Sequence, residues 1–568
     1  MKLLGLAKSS FRLPILLSII VAGLVLLPIV NLVVSSFTTV RLGARTEITL
    51  SNYYAAYAEP RFIPTLVNSI VYAGGSTILG LSIAIALAWI VARTNTPLKG
   101  ATQLMTVFPL LMPPMMDNIA WIFLLAPRAG ILNKFLSETF GIQSGLSAFS
   151  LPAMIWVYGL SLVPLMYLMV LPAFLMMDPS LEEAATISGA SLPRTFATVT
   201  LPLLLPAVLS AAIVGFLHGL RSFETPTLQG IPAGIPVFVS LVYEAAELEF
   251  NYGLAVAYSI LLLLITLTLV WLYVRVTKMG QKYSAVSGRG MKPKLVHLGK
   301  WRFVTLAFVL SYFAIAVILP FIVVIITSLI PTFTYDFFKG FISHMTSDNY
   351  TTVLRQPAFI NGLVNGLLIG LATASIVMIS SATMSHLVHR SQTPGRKIFE
   401  AIGTIPLAFP GLVLSFGLLL AYIGTPLYNT ALAILASFII FNLPYGLRIT
   451  SGALLRIHKE MDEAAVVHGA SWRAAFTKIT LPLARPALVS GFFYIFLAAY
   501  REVGAAVLLT GPGVSYGAVT LFEYYRLGQW AETAAGSVIY AGLLVTFLLV
   551  AKYVSKIRLT KSFVAVDG

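Results

Sequence analysis

Read by its apolar runs, the chain contains twelve segments long enough to cross a bilayer as helices, each of which needs about 20 apolar residues. In the first half they lie near 13–36, 63–92, 104–126, 150–177, 203–220 and 254–275, and in the second near 303–330, 360–388, 401–424, 430–456, 483–500 and 535–555. Runs such as Ile260–Val270 are continuously apolar, whereas barrel strands alternate apolar and polar residues over about ten positions. The pattern predicts an all-α membrane protein. The first run follows Lys2, Lys8 and Arg12 in the manner of a secretion signal. Its apolar stretch is longer than a signal core and no small-residue cleavage site follows, so it reads as a retained anchor.

Composition agrees. Of the 568 residues, 58% are apolar and 10% charged, with a mean hydropathy of +0.89; soluble domains carry about 25% charged residues. So few charges exclude a cytosolic enzyme, a nucleic-acid binder and a disordered scaffold. The absence of cysteine excludes disulfides, thiolate metal sites and cysteine nucleophiles. The net charge of +16 matters through its distribution. With the N-terminus cytoplasmic and the spans alternating, most Lys and Arg collect on the cytoplasmic side. The stretch Arg275–Arg302 alone holds eight basic residues and no acid. Both termini and this central linker are therefore expected in the cytoplasm.

The halves repeat each other. At an offset of 297, Asn52-Tyr53 recurs as Asn349-Tyr350, Arg93 as Arg390, and Pro97, Pro109 and Pro113 as Pro394, Pro406 and Pro410. Beyond the third span the offset falls to 280, so the first half holds 17 extra residues, most simply in the loop 127–149. Leu181–Ser210 and Met461–Ser490 agree at fourteen of thirty positions. Both copies start on the same side, so the repeat is parallel, unlike the inverted repeats of many transporters. The expected organisation is a first repeat over 1–275, a basic linker over 276–302 and a second repeat over 303–568.

The most similar stretches, 178–202 and 457–482, fall in loops between the fourth and fifth spans of each half. One reads Glu183-Ala184-Ala185, then Gly189, then Val199-Thr200-Leu201-Pro202. The other reads Glu463-Ala464-Ala465, then Gly469, then Ile479-Thr480-Leu481-Pro482. Asp178-Pro179-Ser180 and Glu182-Glu183 look like a helix start with acids in the first turn. The alanines give a smooth face for close approach. The glycines permit a sharp bend, and Leu-Pro is expected to restart a helix.

This doubled pattern resembles the E-A-A-x-x-x-G-x9-I-x-L-P loop of permease subunits of bacterial ATP-binding-cassette importers. The resemblance implies a type I ABC importer permease fold: twelve transmembrane helices in two parallel six-helix repeats. It gives Glu183, Ala184, Ala185, Gly189, Glu463, Ala464, Ala465 and Gly469 the role of coupling to an ATPase. No G-x-x-x-x-G-K-[ST] loop exists, and the Gly299-Lys300 pair is followed by Trp301. The chain is thus expected to be no enzyme and to hold no cofactor. ATP and Mg would be bound by two copies of a separate ATPase at the cytoplasmic face. A periplasmic substrate-binding protein would deliver cargo, in a bacterial inner membrane, with no nucleic acid involved.

Ser222–Leu228 with Pro232–Ile235, and Arg501–Leu509 with Gly511-Pro512-Gly513, resemble the far-side loops of fused iron(III)-type permeases, relatives of polyamine, thiamine and 2-aminoethylphosphonate permeases. Arg221 stands where the ferric pattern leads one to expect Glu, and Arg501 is its repeat mate. The two could clamp an anion bidentately, or each could pair with Glu224 or Glu502 and hold its loop. A phosphonate or phosphate ester thus stays beside ferric ion and polyamine. Asp117-Asn118 lies in the third span, where a carboxylate should line a cavity or meet a cation, unless the span is shifted and the acid lies at the outer mouth. Its repeat mate is Leu414. His386 and His389 have the i, i+3 spacing of a metal pair but lack a third ligand; they would otherwise cap helix-end carbonyls. Asn349-Tyr350-Thr351 matches a glycosylation sequon by chance. A secondary transporter of the major-facilitator kind shares the twelve-span plan, but the loop Arg93–Gly100 lacks its charged signature. A membrane enzyme would need a polar cluster of the H-E-x-x-H kind, which is missing from the spans.

Overall fold

The computed structural model describes residues 12–41, 44–143, 145–283, 295–331, 345–390 and 395–555. Both chain ends, Pro394 and the linker core at 284–294 lie outside the described residues. The first half runs α1 (Arg12–Ser36), a hairpin of β1 (Thr38–Arg41) and β2 (Ala44–Ile48), α2 (Ser51–Ala58), α3 (Phe62–Arg93), α4 (Lys99–Val107), α5 (Pro114–Leu125), α6 (Ile131–Phe140), α7 (Leu151–Met176), α8 (Pro179–Ile187), α9 (Leu201–Arg221), α10 (Phe238–Tyr243) and α11 (Tyr252–Tyr283). The second runs α12 (Arg302–Phe313), α13 (Leu319–Ser328), α14 (Asp348–Arg355), α15 (Pro357–Arg390), α16 (Arg396–Thr404), α17 (Gly411–Tyr422), α18 (Ala431–Arg456), α19 (Lys459–Val467), α20 (Leu481–Arg501), α21 (Gly517–Arg526) and α22 (Trp530–Ser555). Apart from the hairpin and α6, which have no counterpart among the described residues, the same order of helices returns in the second half, so the repeat is parallel.

Two of the expected spans are corrected. The runs at 104–126 and 401–424 are broken helices: Lys99–Leu111 meets Pro114–Leu125 at 93°, and Arg396–Ala408 meets Gly411–Tyr422 at 109°. Among the described residues ten unbroken helices are long and apolar enough to cross a membrane, and counting each bent pair as one span brings the number to twelve. Proline is the cause. Pro113 and Pro114, and Pro410 in the second copy, have no N–H to continue the ladder, so a 3-10 turn ends each first piece at Leu111 and Ala408. The fifth and eleventh spans also differ from expectation, running over Leu192–Arg221 and Phe476–Arg501. Leu201-Pro202 does not restart a helix. It lies inside a continuous one, and a π-turn over Phe196–Thr200 accommodates the missing N–H, Leu201 N bonding to Phe196 O. Phe476–Thr480 does the same before Pro482. The 17 extra residues supply α6.

Each half's first helix packs on the other half. The first helix, α1, lies against α17, and α12–α13 lie against α4 and α5. The last described part of the linker is zipped to the end of α3: Val296 N donates to Arg93 O at 2.7 Å and Leu298 N to Asn95 Oδ1 at 2.9 Å. Within each half, small residues let the long helices touch, as membrane packing requires. A Cβ on Gly219 would lie 2.8 Å from Ala73 Cα, and one on Gly80 would lie 2.8 Å from Gly159 O. Gly219→Val should therefore force α3 and α9 apart at a cost of about 1–3 kcal/mol, read as a lower thermal midpoint of the purified protein.

Asn349 is buried, and its Nδ2 donates to Ser328 O and Ile330 O at 2.9 and 2.7 Å. Its repeat mate Asn52 does the same toward Ser36 O and Thr38 O. The sequon is thus a structural cap on the preceding turn.

Candidate functional site: two loop helices and a polar seam

The α8 and α19 helices occupy matching places in the two halves, each between the fourth and fifth spans. Asp178 caps α8, its Oδ1 accepting from Ser180 N at 2.9 Å, and those bonds hold its carboxyl below the usual range. Gly189 and Gly469 end the two helices at φ +85° and +87°. Ala190 N and Ala470 N donate back to Ala185 O and Ala465 O at 3.0 and 2.9 Å. This is the left-handed helix stop that favours glycine. No atom lies within 4 Å of a Cβ built on either glycine, so conformation alone selects it.

Consecutive helical positions point about 100° apart, which separates Glu182 from Glu183. Glu182 faces the bundle. Its Oε2 lies 3.2 Å from Arg93 Nε, and its Oε1 accepts from Thr200 Oγ1 at 2.6 Å. Arg93, 1% exposed, also donates to Met177 O at 3.0 Å. The second half repeats the arrangement. Asp462 Oδ2 lies 3.4 Å from Arg390 Nε and Oδ1 accepts from Thr480 at 2.7 Å, while Arg390 donates to Leu454 O and Ile457 O. These six residues clamp the loop helices to the spans. They escaped the sequence reading, although Arg93/Arg390 at offset 297, and Glu182/Asp462 and Thr200/Thr480 at offset 280, carry the signal.

The opposite sides of α8 and α19 are bare. Ile187 and Val467, repeat mates, are 86% and 84% exposed, and Ala184 and Ala464 are exposed beside them. Glu463 is exposed and Glu183 half-buried.

Where the halves meet, the polar residues expected in the pathway come together. Asp117 and Asn118 are buried in the first turn of α5, just past the helix break. Asp117 Oδ2 accepts from Ser161 Oγ at 2.8 Å, and Asn118 Oδ1 accepts from Gln229 at 3.4 Å. The charge of Arg501 acts on Asp117, Glu224 and Glu502. Glu224 and Glu502 lie within electrostatic range of each other and of Arg501. Glu502 Oε1 also accepts from Ala505 N at 3.0 Å. Among the described residues neither arginine forms an ion pair with Glu224 or Glu502 within 4 Å. Instead Arg221 donates to Leu407 O at 2.9 Å and Arg501 donates to Leu110 O, each in the opposite half.

Above the seam, on the far face, Phe223 and Tyr243 of the first half close on Phe522 of the second at 5.4 and 5.9 Å, and Arg526 donates to Tyr243 Oη at 2.7 Å. A cavity of about 260 Å³ is lined by Arg61, Glu244 and Glu249; Arg61 lies 3.1 and 3.3 Å from these two acids and 2.5 Å from Glu59. Hydrogen bonding to Glu59 raises the basicity of Arg61, and burial pushes Glu244 above the ordinary carboxyl value. A second cavity, about 390 Å³ between α15 and α20, is apolar and separate from the seam.

The histidine pair belongs to neither feature. His386 is the repeat mate of Trp89. Its ring packs 4.6 Å from Phe476, as Trp89 packs 6.4 Å from Phe196. It fills an aromatic position, and among the described residues no group of three metal-ligating side chains exists.

The chain is 25% identical over 457 residues to a putative ferric transport system permease protein of Haemophilus influenzae, covering 76% of this chain and 67% of that one. It is 24% identical over 510 residues to a ferric transport system permease protein of Actinobacillus pleuropneumoniae, covering 86% and 70%. A solved bacterial ABC transporter involved in import of the acidic polysaccharide alginate aligns with 50% of this chain and 99% of its own, at TM-score 0.40 and 19% identity. One family description matches twice, over residues 80–278 and 366–558, once in each repeat. The chain therefore belongs to the binding-protein-dependent transport system inner membrane components.

Proposed function

We propose that this chain is the whole membrane pathway of an ATP-driven, binding-protein-dependent importer of ferric iron in a bacterial inner membrane. Its loop helices α8 and α19 and both termini lie in the cytoplasm, and its far face meets the binding protein. The observation that carries the reading is the pair of loop helices: clamped to the spans by the same arginine–acid–threonine set, ended by the same glycine, and bare at the same apolar tip. One ATPase subunit seats on each. When ATP draws the two ATPases together, the clamps pass the movement to α3 and α9, and to α15 and α20. Glu183, Ala184, Ala185 and Gly189, with Glu463, Ala464, Ala465 and Gly469, are the contact surface of that joint.

Ferric cargo is supported by the relatives named ferric permeases and by the hard oxygen donors Asp117, Asn118, Glu224 and Glu502 at the seam. Hard, highly charged cations prefer such oxygens. Three acids there outnumber two arginines, and both arginines already donate to carbonyls, which favours a cation over a phosphonate. A polyamine meets the same acids. Reconstitution in liposomes with its ATPase and binding protein separates the cases. Uptake of ferric iron should require ATP, should vanish when either partner is omitted, and should fall at least about tenfold in Asp117→Asn, the scale of one lost charge contact at a buried site. Uptake of putrescine or 2-aminoethylphosphonate instead of iron would reassign the cargo, and ion-driven uptake by the lone chain would remove the importer reading.

A further inference from the structure

The prolines that break the third and ninth spans also strip two carbonyls of their partners. For Leu110, positions i+3 and i+4 are Pro113 and Pro114, so neither a 3-10 nor an α bond is possible. For Leu407, position i+3 is Pro410, and Gly411 at i+4 begins a helix turned by 109°. Unpaired carbonyls at membrane depth are costly and must be met from elsewhere in the protein. Each is met across the seam. Leu110 and Leu407 are repeat mates at offset 297, and Arg501 and Arg221 are repeat mates at offset 280. The first half's arginine reaches the second half's break, and the second half's arginine reaches the first's. Arg221 also lies 5.3 Å over the ring of Phe441, again in the other half.

We infer that Arg221 and Arg501 are crossed latches: positioning residues that hold the far side of the seam shut in this conformation, each half clasping the helix break of the other. The inference rests on the transporter reading above and adds the step at which the halves separate. Opening toward the far face carries each arginine away from its carbonyl, so both bonds must be given up. Glu224 and Glu502 lie within electrostatic range of the guanidiniums and can receive them when the carbonyl bonds are given up. This role replaces the anion clamp: the guanidiniums read backbone geometry, and cargo passes when they let go.

The chain has no cysteine, so Leu248→Cys and Leu527→Cys give unique nitroxide sites. They are 45% and 72% exposed, on the far-face loops of opposite halves. In nanodiscs, with the ATPase bound and no nucleotide, the parent should show one short spin–spin distance. Arg221→Met with Arg501→Met should add a longer population, its share raised on the order of tenfold or more, the scale of losing hydrogen bonds to a charged group. Basal ATP hydrolysis should rise and lose its dependence on the binding protein. The two single Met variants should act alike, because the latches are repeat mates. Arg221→Lys with Arg501→Lys should restore the short distance, since an ammonium still donates to a carbonyl. An unchanged distance distribution in folded Met variants, single or double, overturns the latch. If the double variant does not fold, the singles decide. A chain that never binds an ATPase but whose far-face distance still responds would sink the proposed function and leave the latch standing.

Discussion

Ile187→Asp with Val467→Asp should abolish capture of the ATPase while leaving the fold intact. Both side chains stand almost wholly in water at the tips of α8 and α19. They are held there by glycine stops that no neighbour crowds. An apolar side chain of this size gains about 1.5–3 kcal/mol on full burial, so two ATPase subunits that cover one tip each together lose roughly 3–6 kcal/mol when both tips become charged. That is about one to two orders of magnitude in the dissociation constant of each subunit and about two to four for the pair. Exposed substitutions of this kind change folding stability by about 0.5 kcal/mol or less. Pull-down of the ATPase together with a thermal melt of the isolated chain therefore gives a clean contrast: no complex, unchanged melting. A complex that survives both aspartates would mean that these helices are ordinary connectors.

Arg93→Ala with Arg390→Ala should break a different link. The ATPase should still bind and hydrolyse ATP, because the exposed tips are untouched, but the movement should no longer reach the spans. Each guanidinium ties an acid of the loop helix and a helix-end carbonyl to the end of a long span. Removing one partner of a buried ion pair costs about 3–5 kcal/mol. Partial exposure of Glu182 and Asp462 (19% and 15%) places these pairs toward the lower end. Cargo transported per ATP hydrolysed should fall at least about tenfold, with each single variant showing an intermediate loss. Equal transport per ATP in the double variant would show that force passes by another route, through the π-turns at Phe196–Thr200 and Phe476–Thr480.

The two results divide the coupling unit into a docking side and a transmission side on one short helix. Glu182 and Glu183 differ by one position and point about 100° apart. Helical periodicity makes adjacent residues serve different partners. The motif residue Glu463 is exposed and Glu183 half-buried, and the residues just before them, Glu182 and Asp462, hold the helix down.

The sequence alone determined the membrane class, the helical spans, the parallel duplication and the family resemblance. Each rests on something local or repeated: continuous apolar length, basic residues gathered on one side, and a doubled loop of fixed spacing. It also marked Pro109, Pro113, Pro406 and Pro410 as repeat mates without saying what they do. Only the tertiary structure decided that Pro113 and Pro410 mark the points where the third and ninth spans bend by 93° and 109°. It also decided that the first helix of each half rests on the other half, and that Arg221 and Arg501 cross the seam to Leu407 and Leu110. The physical reason is the same in each case. A chain reveals its own hydrogen-bonding deficits, such as a carbonyl left without an N–H. Which residue hundreds of positions away will meet that deficit depends on how two apolar surfaces pack, and packing between helices leaves no period in the sequence.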